Sequence, residues 1–287
     1  MLLYFDIFQY PLKSSELSLV ISDDSSQEEL FAELIEMGLI EKKNEWYFLS
    51  GKNYSKRISE KSQSHAFLKK AKRYSRIINH FPFVRGVYIS GSLSKDWSDD
   101  TTDVDYFVVT APQRLWLCRT MLILFKKIFL LNSRKYFCLN YFIDTNNLNI
   151  EEKNIFTATE ICFLKPVINK KLFHEFLQKN QWIKEYYISN AHLENMKTID
   201  HKDGWMKRLG EKILSGKLGE AMDIWSMKKT LKFWRNKFPG MQKSDFEINF
   251  KSNRTISKHH PNGFQKKVLE SLDLRVKEFE KSTSISL

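Results

Sequence analysis

Residues 89–109 constrain the fold of this chain more than any other segment. They read ISGSLSKDWSDDTTDVDYFVV, in which an apolar run ends at a Gly-Ser step and two aspartates open a second apolar run ten residues later. Residues i and i+2 of a strand point to the same side, so we expect Asp103 and Asp105 to present two carboxylates on one face of a sheet. Because two like charges at the start of a buried strand repel each other, the pattern predicts a bound cation.

The side chains of this segment indicate which ligands it would take. Mg²⁺ is commonly held by one or two carboxylates and the phosphates of a substrate, and Mn²⁺ accepts the same oxygen ligands. Gly91 allows the backbone to approach a phosphate closely, the hydroxyl of Ser92 can donate to it, and Lys95 is a further candidate for a phosphate contact. The pattern therefore predicts a nucleoside triphosphate site. The acids also fit a plain capped turn, because the turn-forming residues 99–101 precede them.

The sequence around this segment predicts a compact α/β unit. Apolar, β-rich runs at 84–89, 103–110 and 136–143 predict three strands. The long apolar stretch at 112–132 predicts a helix between the second and third strands. We therefore assign residues 81–150 to a single α/β core.

The Gly-Ser step, the spacer and Asp-x-Asp before an apolar strand together resemble the DNA-polymerase-β-like nucleotidyltransferase superfamily, including bacterial members with an N-terminal winged-helix-like region. The resemblance covers about residues 84–144. It implies that Gly91 and Ser92 hold the triphosphate of a nucleotide such as ATP. It also implies that Asp103 and Asp105 are the catalytic residues and bind two metal ions. An acceptor hydroxyl would attack the α-phosphoryl group, and pyrophosphate would leave.

The chain departs from the family pattern at one position. The resemblance implies a third metal-binding carboxylate in the strand at 136–144, where the polar residue is Asn140. A neutral amide is a poorer metal ligand and does not activate the attacking hydroxyl. Two substitutes remain open: Asp144, about 13 Å further along the strand unless a bulge moves it, or Glu160 on a predicted helix. If neither serves, the domain would bind a nucleotide without transferring it.

Residues 1–51 predict three helices and a hairpin, an arrangement that resembles a winged helix. They contain ten acidic and only three basic side chains. The third helix has no Lys or Arg and carries four glutamates: Glu28, Glu29, Glu33 and Glu36. A helix that enters the major groove must neutralise phosphates, so DNA binding by this module is disfavoured and a packing or protein-contact role is preferred.

Two further regions are predicted to be largely helical and basic. Residues 56–80 are predicted to form a long basic helix, which completes an N-terminal unit 1–80. Because the helix is basic, a third interpretation of the protein's function is a regulator that binds nucleic acid. Residues 151–287 predict a lobe that is helical to about residue 235, loop-rich over 237–260 and helical again over 261–281. Candidates for phosphate contact or base stacking in the C-terminal lobe are Lys165, Lys170, Lys171, Lys258, His259, His260 and Trp205. Trp97, in the spacer before Asp103, is a further candidate for base stacking.

The composition narrows the class of protein. The 287 residues carry a formal net charge of +12, of which residues 151–287 contribute +9, so we expect an anionic partner. The three cysteines (Cys118, Cys138 and Cys162) lie far apart among apolar residues, which predicts reduced core thiols and a cytoplasmic location. The most apolar stretch is interrupted by Arg119 and by Lys126, so no membrane span is predicted.

These observations predict an α+β protein with an N-terminal winged-helix-like module, a polymerase-β-like nucleotidyltransferase core and a C-terminal helical lobe. The expected function is Mg²⁺- or Mn²⁺-dependent transfer of a nucleoside monophosphate to a hydroxyl acceptor. The sequence does not distinguish among three kinds of acceptor: a small molecule, a protein hydroxyl and RNA. The alternative is a nucleotide-sensing or protein-interaction module on the same fold, with Asn140 marking the lost carboxylate.

Overall fold

The structure is a computed structural model of the chain, and it describes residues 1–20, 25–52, 54, 61–99, 102–133, 135–188, 198–199 and 203–283. Within these ranges, the side chains of residues 25–28, 30 and 61–63 are not described. Residues 56–60 of the predicted basic helix, residues 100–101 of the predicted turn and the side chain of Glu28 therefore lie outside the described residues. The fold is mixed α+β with two β-sheets, in agreement with the predicted class.

The first 51 residues contain the predicted helices and hairpin. A two-residue strand joins the hairpin, and the resulting antiparallel sheet has the order β1-β3-β2. Asn44 forms the hairpin turn with a φ of 56°, a left-handed conformation that asparagine tolerates. The elements are α1 (Leu2–Asp6), β1 (Leu12–Lys13), α2 (Ser14–Leu17), α3 (Ser25–Glu36), β2 (Ile40–Lys43) and β3 (Trp46–Leu49).

A five-stranded sheet forms the centre of the protein, in the order β7-β4-β5-β6-β8. The three strands predicted at 84–89, 103–110 and 136–143 are present as β4, β5 and β6, with small shifts at their ends. β5 and β6 are parallel, and the other neighbouring strands are antiparallel. The strands are β4 (Val84–Ser90), β5 (Asp105–Thr110), β6 (Cys138–Asp144), β7 (Lys165–Ile168) and β8 (Ile256–Lys258).

Residues 151–235 were predicted to be helical, but the strand β7 interrupts them. Residues 237–260 were predicted to be loop-rich, but they contain the strand β8 and the short helix Lys243–Asn249. β7 is four residues long and contains Pro166, so its sequence carries little strand signal. Proline is tolerated there because β7 is an edge strand. The central sheet thus combines strands from the predicted segments 81–150 and 151–287.

Helices cover both faces of the central sheet. They are α4 (Lys61–Asn79), α5 (Gly91–Ser94), α6 (Leu115–Phe129), α7 (Ile155–Cys162), α8 (Lys170–Lys179), α9 (Trp205–Leu214), α10 (Lys217–Lys237), α11 (Lys243–Asn249) and α12 (Phe264–Thr283). Along β5, Phe107 and Val109 pack into a core closed by α1, α7, α8 and α12. Tyr106 and Val108 pack into a second core with α4, α6, α10 and α11. This alternation is the ordinary two-residue period of a strand buried on both faces.

The apolar stretch predicted as a helix at 112–132 is the core helix α6. It stops at Phe129, and Leu131 and Asn132 that follow have positive φ angles. No helix among the described residues combines the length and the apolar character needed to cross a membrane. The three cysteines are buried and form no disulfide.

Candidate functional site

The Gly-Ser step lies where β4 ends and the chain turns. β4 ends at Ser90, and the single helical turn α5 begins at Gly91. Gly91 has a φ of +70°, which glycine adopts without the steric cost that a Cβ would bring. The hydroxyl of Ser94 donates to the carbonyl oxygen of Gly91 at 2.7 Å and closes the turn. Ser92, the second residue of the turn, is partly exposed.

Asp105 lies directly against this turn. The antiparallel register pairs Ser90 with Asp105, so the carboxylate faces the backbone of the next residue, Gly91. A Cβ added to Gly91 would lie 2.5 Å from Oδ2 of Asp105, closer than real Cβ contacts allow. The Gly-Ser turn and Asp-x-Asp therefore form one site, and only glycine fits between them.

Asp103 and Asn140 complete this end of the sheet. Asp103 lies just before β5 and is partly exposed. The register between β5 and β6 shifts by one residue at Asn140, which makes Asn140 a β-bulge. Its Nδ2 donates to Oδ1 of Asp105 at 2.5 Å, and its Oδ1 accepts from Sγ of Cys138 at 3.2 Å. The structure thus brings together the three residues that the sequence analysis assigned to metal binding.

The electrostatics of Asp105 are unusual for an aspartate. The pKa of its carboxyl is raised to about 7, mainly by burial and also by the nearby charges of Glu160 and Asp103, against the opposing effects of a hydrogen bond with Cys138 and the charge of Lys95. Burial and like charges both disfavour an ionised carboxylate. A cation at this position would reverse that balance, because an opposite charge within a few ångströms favours the ionised form.

The carboxylate of Glu160, on α7, lies against the Gly-Ser turn. Lys95 Nζ donates to Oε1 of Glu160 at 2.7 Å and to the carbonyl oxygen of Gly91 at 3.3 Å. The backbone N–H of Gly91 donates to Oε2 of Glu160 at 3.4 Å. A carboxylate therefore lies between the lysine and the backbone N–H that the sequence analysis assigned to phosphate binding.

Asp144, the other substitute for a third carboxylate, lies elsewhere. Asp144 could reach the site only if a bulge moved it closer, and the bulge in β6 is at Asn140. Asp144 pairs with Thr110, at the end of β5 opposite to Asp105. The Asp144 carboxylate accepts backbone N–H bonds from Gln113 at 3.2 Å and Asn146 at 3.0 Å. Asp144 therefore stabilises a turn and does not contribute to the candidate site.

Two recesses meet at Asp105. The first, which we call the apolar recess, has a volume of about 100 Å³ and lies beside Gly91, Glu160 and Phe156. The second, which we call the basic groove, has a volume of about 730 Å³ and runs from Asp103 and Asp105 along α6 and α10. Asp105, Asn140 and His260 line both recesses.

The described residues contain no group of three or more His, Cys, Asp or Glu side chains placed to bind one metal ion. Asp103 and Asp105 therefore offer two carboxylates, and further ligands would come from Asn140, water or a substrate. This is the coordination typical of Mg²⁺ with a bound phosphate.

The remaining candidates from the sequence divide into two groups. In the loop 258–260, the backbone N–H of His259 donates to the carbonyl oxygen of Asn140 at 2.9 Å, and His260 has a pKa lowered to about 4 by burial and by the charge of Lys258. Lys258 faces Glu152 at 3.7 Å. The others lie away from Asp105: Lys165, which pairs with Asp96, Trp97 in a separate cavity, Lys170 and Lys171 at the start of α8, and exposed Trp205 on α9.

Sequence analysis missed the residues of the basic groove on α6 and α10. Neither Trp225 nor Phe233 was among the predicted candidates, although their side chains are 59% and 60% exposed. The sequence feature that could have indicated this groove is the set of lysines on α10 near Trp225 and Phe233, such as Lys229. Only the packing of α10 against α6 shows which face is left open.

Comparison of the chain with models of protein families, with curated proteins and with solved structures finds no match.

Proposed function

We propose that the protein is a Mg²⁺- or Mn²⁺-dependent nucleotidyltransferase that moves a nucleoside monophosphate from a nucleoside triphosphate to a hydroxyl acceptor. The observation that carries the proposal is the contact between Gly91 and Asp105. A backbone turn suited to phosphate and a carboxylate suited to a divalent cation lie so close that a Cβ added to Gly91 would be 2.5 Å from Oδ2 of Asp105. A metal-bound triphosphate needs a phosphate-binding group and a metal-binding group side by side.

The fold supports the same proposal. The core sheet carries the Gly-Ser turn after β4, Asp-x-Asp at the start of β5 and Asn140 in β6, which are neighbouring strands. This is the order that the resemblance to the polymerase-β-like superfamily implies. The N-terminal sheet order β1-β3-β2 with α1 to α3 agrees with a winged helix, and its glutamates Glu29, Glu33 and Glu36 are exposed, which again disfavours DNA as the ligand of α3.

The residues of the site fit a divalent cation. Asp105 is a desolvated carboxyl whose pKa is raised mainly by burial, and Asp103 adds a second carboxylate, so a cation beside them would favour the ionised forms. A bound Mg²⁺ would polarise the phosphoryl oxygens and neutralise the charge that develops on them. Gly91, Ser92 and Lys95 would hold the triphosphate, and Glu160 would have to release Lys95 for that contact.

The reaction balances with groups that line the site. The acceptor oxygen forms a bond to the α-phosphorus, the bond from that phosphorus to the oxygen bridging to the β-phosphorus breaks, and pyrophosphate leaves with that electron pair. The hydroxyl proton passes to Asp103, which is partly exposed in the basic groove, and then to water.

A specific observation favours a second function, nucleotide binding without transfer. Asn140 occupies the place of the third carboxylate, and its amide donates to Asp105 instead of offering a second negative charge. A site of this kind retains two carboxylates for a metal-bound nucleotide but has less negative charge for activating a hydroxyl.

Pyrophosphate release separates the two functions. The wild-type protein and the double variant Asp103→Asn/Asp105→Asn are supplied with each of the four ribonucleoside triphosphates, Mg²⁺ or Mn²⁺ and a cell extract as the source of acceptor. Release that requires both aspartates is expected and identifies the nucleotide. Metal-dependent nucleotide binding without release for all four nucleotides would contradict transfer and support the sensor.

A further inference from the structure

The basic groove is separate from the turn assigned to the triphosphate. Of its described lining residues, none comes from the Gly-Ser turn, whereas Asp103, Asp105 and Asn140 all line it. Both α6 and α10 line the groove, and these two helices pack against each other. A ligand in the groove would therefore contact Asp103 and Asp105 without contacting the Gly-Ser turn.

The charge of the groove selects an anionic ligand. Its described lining residues include five cations, Arg119, Lys126, Lys127, Lys229 and Lys237, and no acid besides Asp103 and Asp105. Lys127, Lys229 and Lys237 have exposed side chains. A cleft lined by one sign of charge concentrates ligands of the other sign.

Exposed aromatic rings add a second property. Trp225 and Phe233 lie eight residues apart on α10, about 12 Å along the helix axis, and both line the groove. Lys229 lies between them in sequence, and its Nζ is 5.7 Å from the centre of the Trp225 ring. Alternating lysines and flat exposed rings are the pattern by which proteins bind unpaired nucleotides, because the lysines neutralise phosphates and the rings stack on bases.

We propose that the basic groove binds a single-stranded nucleic acid and delivers its terminal hydroxyl to Asp103 as the acceptor. Binding of the strand depends on the groove alone, whereas the role of its hydroxyl rests on the proposed function. A single strand fits better than a duplex, because paired bases have no free face for Trp225 or Phe233. Asp103 and Asp105 line the same groove, so a terminal hydroxyl of a bound strand can lie beside them.

The first test measures binding by fluorescence anisotropy. The probes are a labelled single-stranded RNA of about 12 nucleotides, the DNA of the same sequence and the matching duplex, between about 50 and 200 mM salt. We expect at least one of the two single strands to bind at least about 10-fold more tightly than the duplex. The RNA and DNA arms identify which strand is the natural ligand.

Two groove variants separate stacking from charge. Trp225→Ala/Phe233→Ala is expected to weaken strand binding at least about 10-fold without changing the salt dependence. Lys127→Gln/Lys229→Gln/Lys237→Gln is expected to weaken binding and to reduce the slope of log affinity against log salt by about 2. All five side chains are exposed, so the folded state should survive both changes.

Matched controls make the same chemical changes outside the groove. Phe129→Ala/Trp205→Ala removes a phenylalanine and a tryptophan that are 69% and 68% exposed and do not line the groove. Lys267→Gln/Lys277→Gln/Lys281→Gln removes three exposed lysines from α12. Strand binding within about 2-fold of wild type is expected for both controls. Equal losses in control and groove variants, equal affinity for the duplex, or no strand binding at the lowest salt would overturn the inference.

The second test distinguishes failure of this inference from failure of the proposed function. The RNA is incubated with nucleoside triphosphates and Mg²⁺, and its length is read on a denaturing gel, with a 3′-phosphorylated RNA as the blocked control. Extension of the free end alone is expected. Strand binding without extension, together with no pyrophosphate release for any acceptor, would refute transfer and leave the strand-binding groove. Aspartate-dependent pyrophosphate release with another acceptor, unaffected by the groove variants, would refute the role of the groove and leave transfer.

Discussion

The two recesses that meet at Asp105 differ in size, charge and the elements that build them. The apolar recess is about 100 Å³ and borders Gly91 and Glu160, whereas the basic groove is about 730 Å³ and is lined by lysines and exposed aromatic rings. The same carboxylate faces both. The difference fits the two ligands proposed above, the phosphates of a nucleotide beside Gly91 and an anionic strand beside α6 and α10.

The largest effect is expected from the residue that both recesses share. Asp105→Asn removes the buried carboxylate, so metal-dependent nucleotide binding and pyrophosphate release should fall at least about 100-fold. Unfolding in chelator should be no easier than for wild type, because a desolvated charge has been removed. Calorimetric nucleotide titration and thermal melting measure the two effects. Asp273→Asn, an exposed aspartate on α12, is the control, and equal behaviour of the two variants would refute the shared role of Asp105.

A smaller effect is expected at the glycine that belongs to the apolar recess alone. Gly91→Ala imposes a left-handed alanine and also places a methyl group against Asp105, so nucleotide affinity should fall about 10-fold and strand binding should not change. Gly51→Ala is the matched control, because Gly51 has a φ of +74° and no atom within 4 Å of an added Cβ. Urea unfolding should show Gly91→Ala less stable than this control by about 1 kcal/mol or more. Equal stability and equal nucleotide affinity would mean that the contact with Asp105 has no consequence.

Glu160 tests whether the apolar recess is open to phosphate. Glu160→Gln removes a negative charge from between Lys95 and the N–H of Gly91, so nucleotide should bind about 5-fold more tightly, corresponding to about 1 kcal/mol. Titration of both proteins with nucleotide and Mg²⁺ measures the change, and Glu175→Gln on the exposed surface of α8 is the control. Weaker binding would show instead that the Glu160 carboxylate contributes to the metal-bound complex.

The smallest effect on activity is expected at Asp144, which lines neither recess. Asp144→Asn keeps only one of the two oxygens that accept the N–H groups of Gln113 and Asn146, so it weakens this turn. Because the turn lies away from Asp105, pyrophosphate release should stay within about 2-fold of wild type. Burial raises the pKa of the Asp144 carboxyl above its usual 3.8. The folded state then holds its proton to higher pH than the unfolded state, so this group lowers stability as pH rises from 3.8 through the raised pKa.

Thermal melting between acid and neutral pH checks the sign of this effect. The asparagine variant should lose less stability than wild type over that range, because it has no proton to release. A large loss of activity in Asp144→Asn would restore this residue as the third carboxylate.

The elements that sequence analysis predicted well have strong local signals. β4, β5, β6 and α6 are long, apolar and bounded by turn residues, so their periodicity indicates them without knowledge of their neighbours. β7 and β8 were missed because each is too short to carry a period, and both exist through pairing with strands distant in sequence. The site shows the same division: Glu160 was singled out on its residue type alone, and its contact with Lys95 spans 65 positions.

The sequence by itself determined the turn and the strand that carry Gly91, Asp103 and Asp105, because steric limits on φ and the two-residue period of a strand act over a few neighbouring residues. The tertiary structure decided which groups surround them. Register between distant strands placed Asp105 against Gly91, the bulge turned Asn140 toward Asp105, and the packing of α10 on α6 left Trp225 and Phe233 exposed beside lysines. Those outcomes depend on contacts between segments far apart in the chain, and no local pattern specifies them.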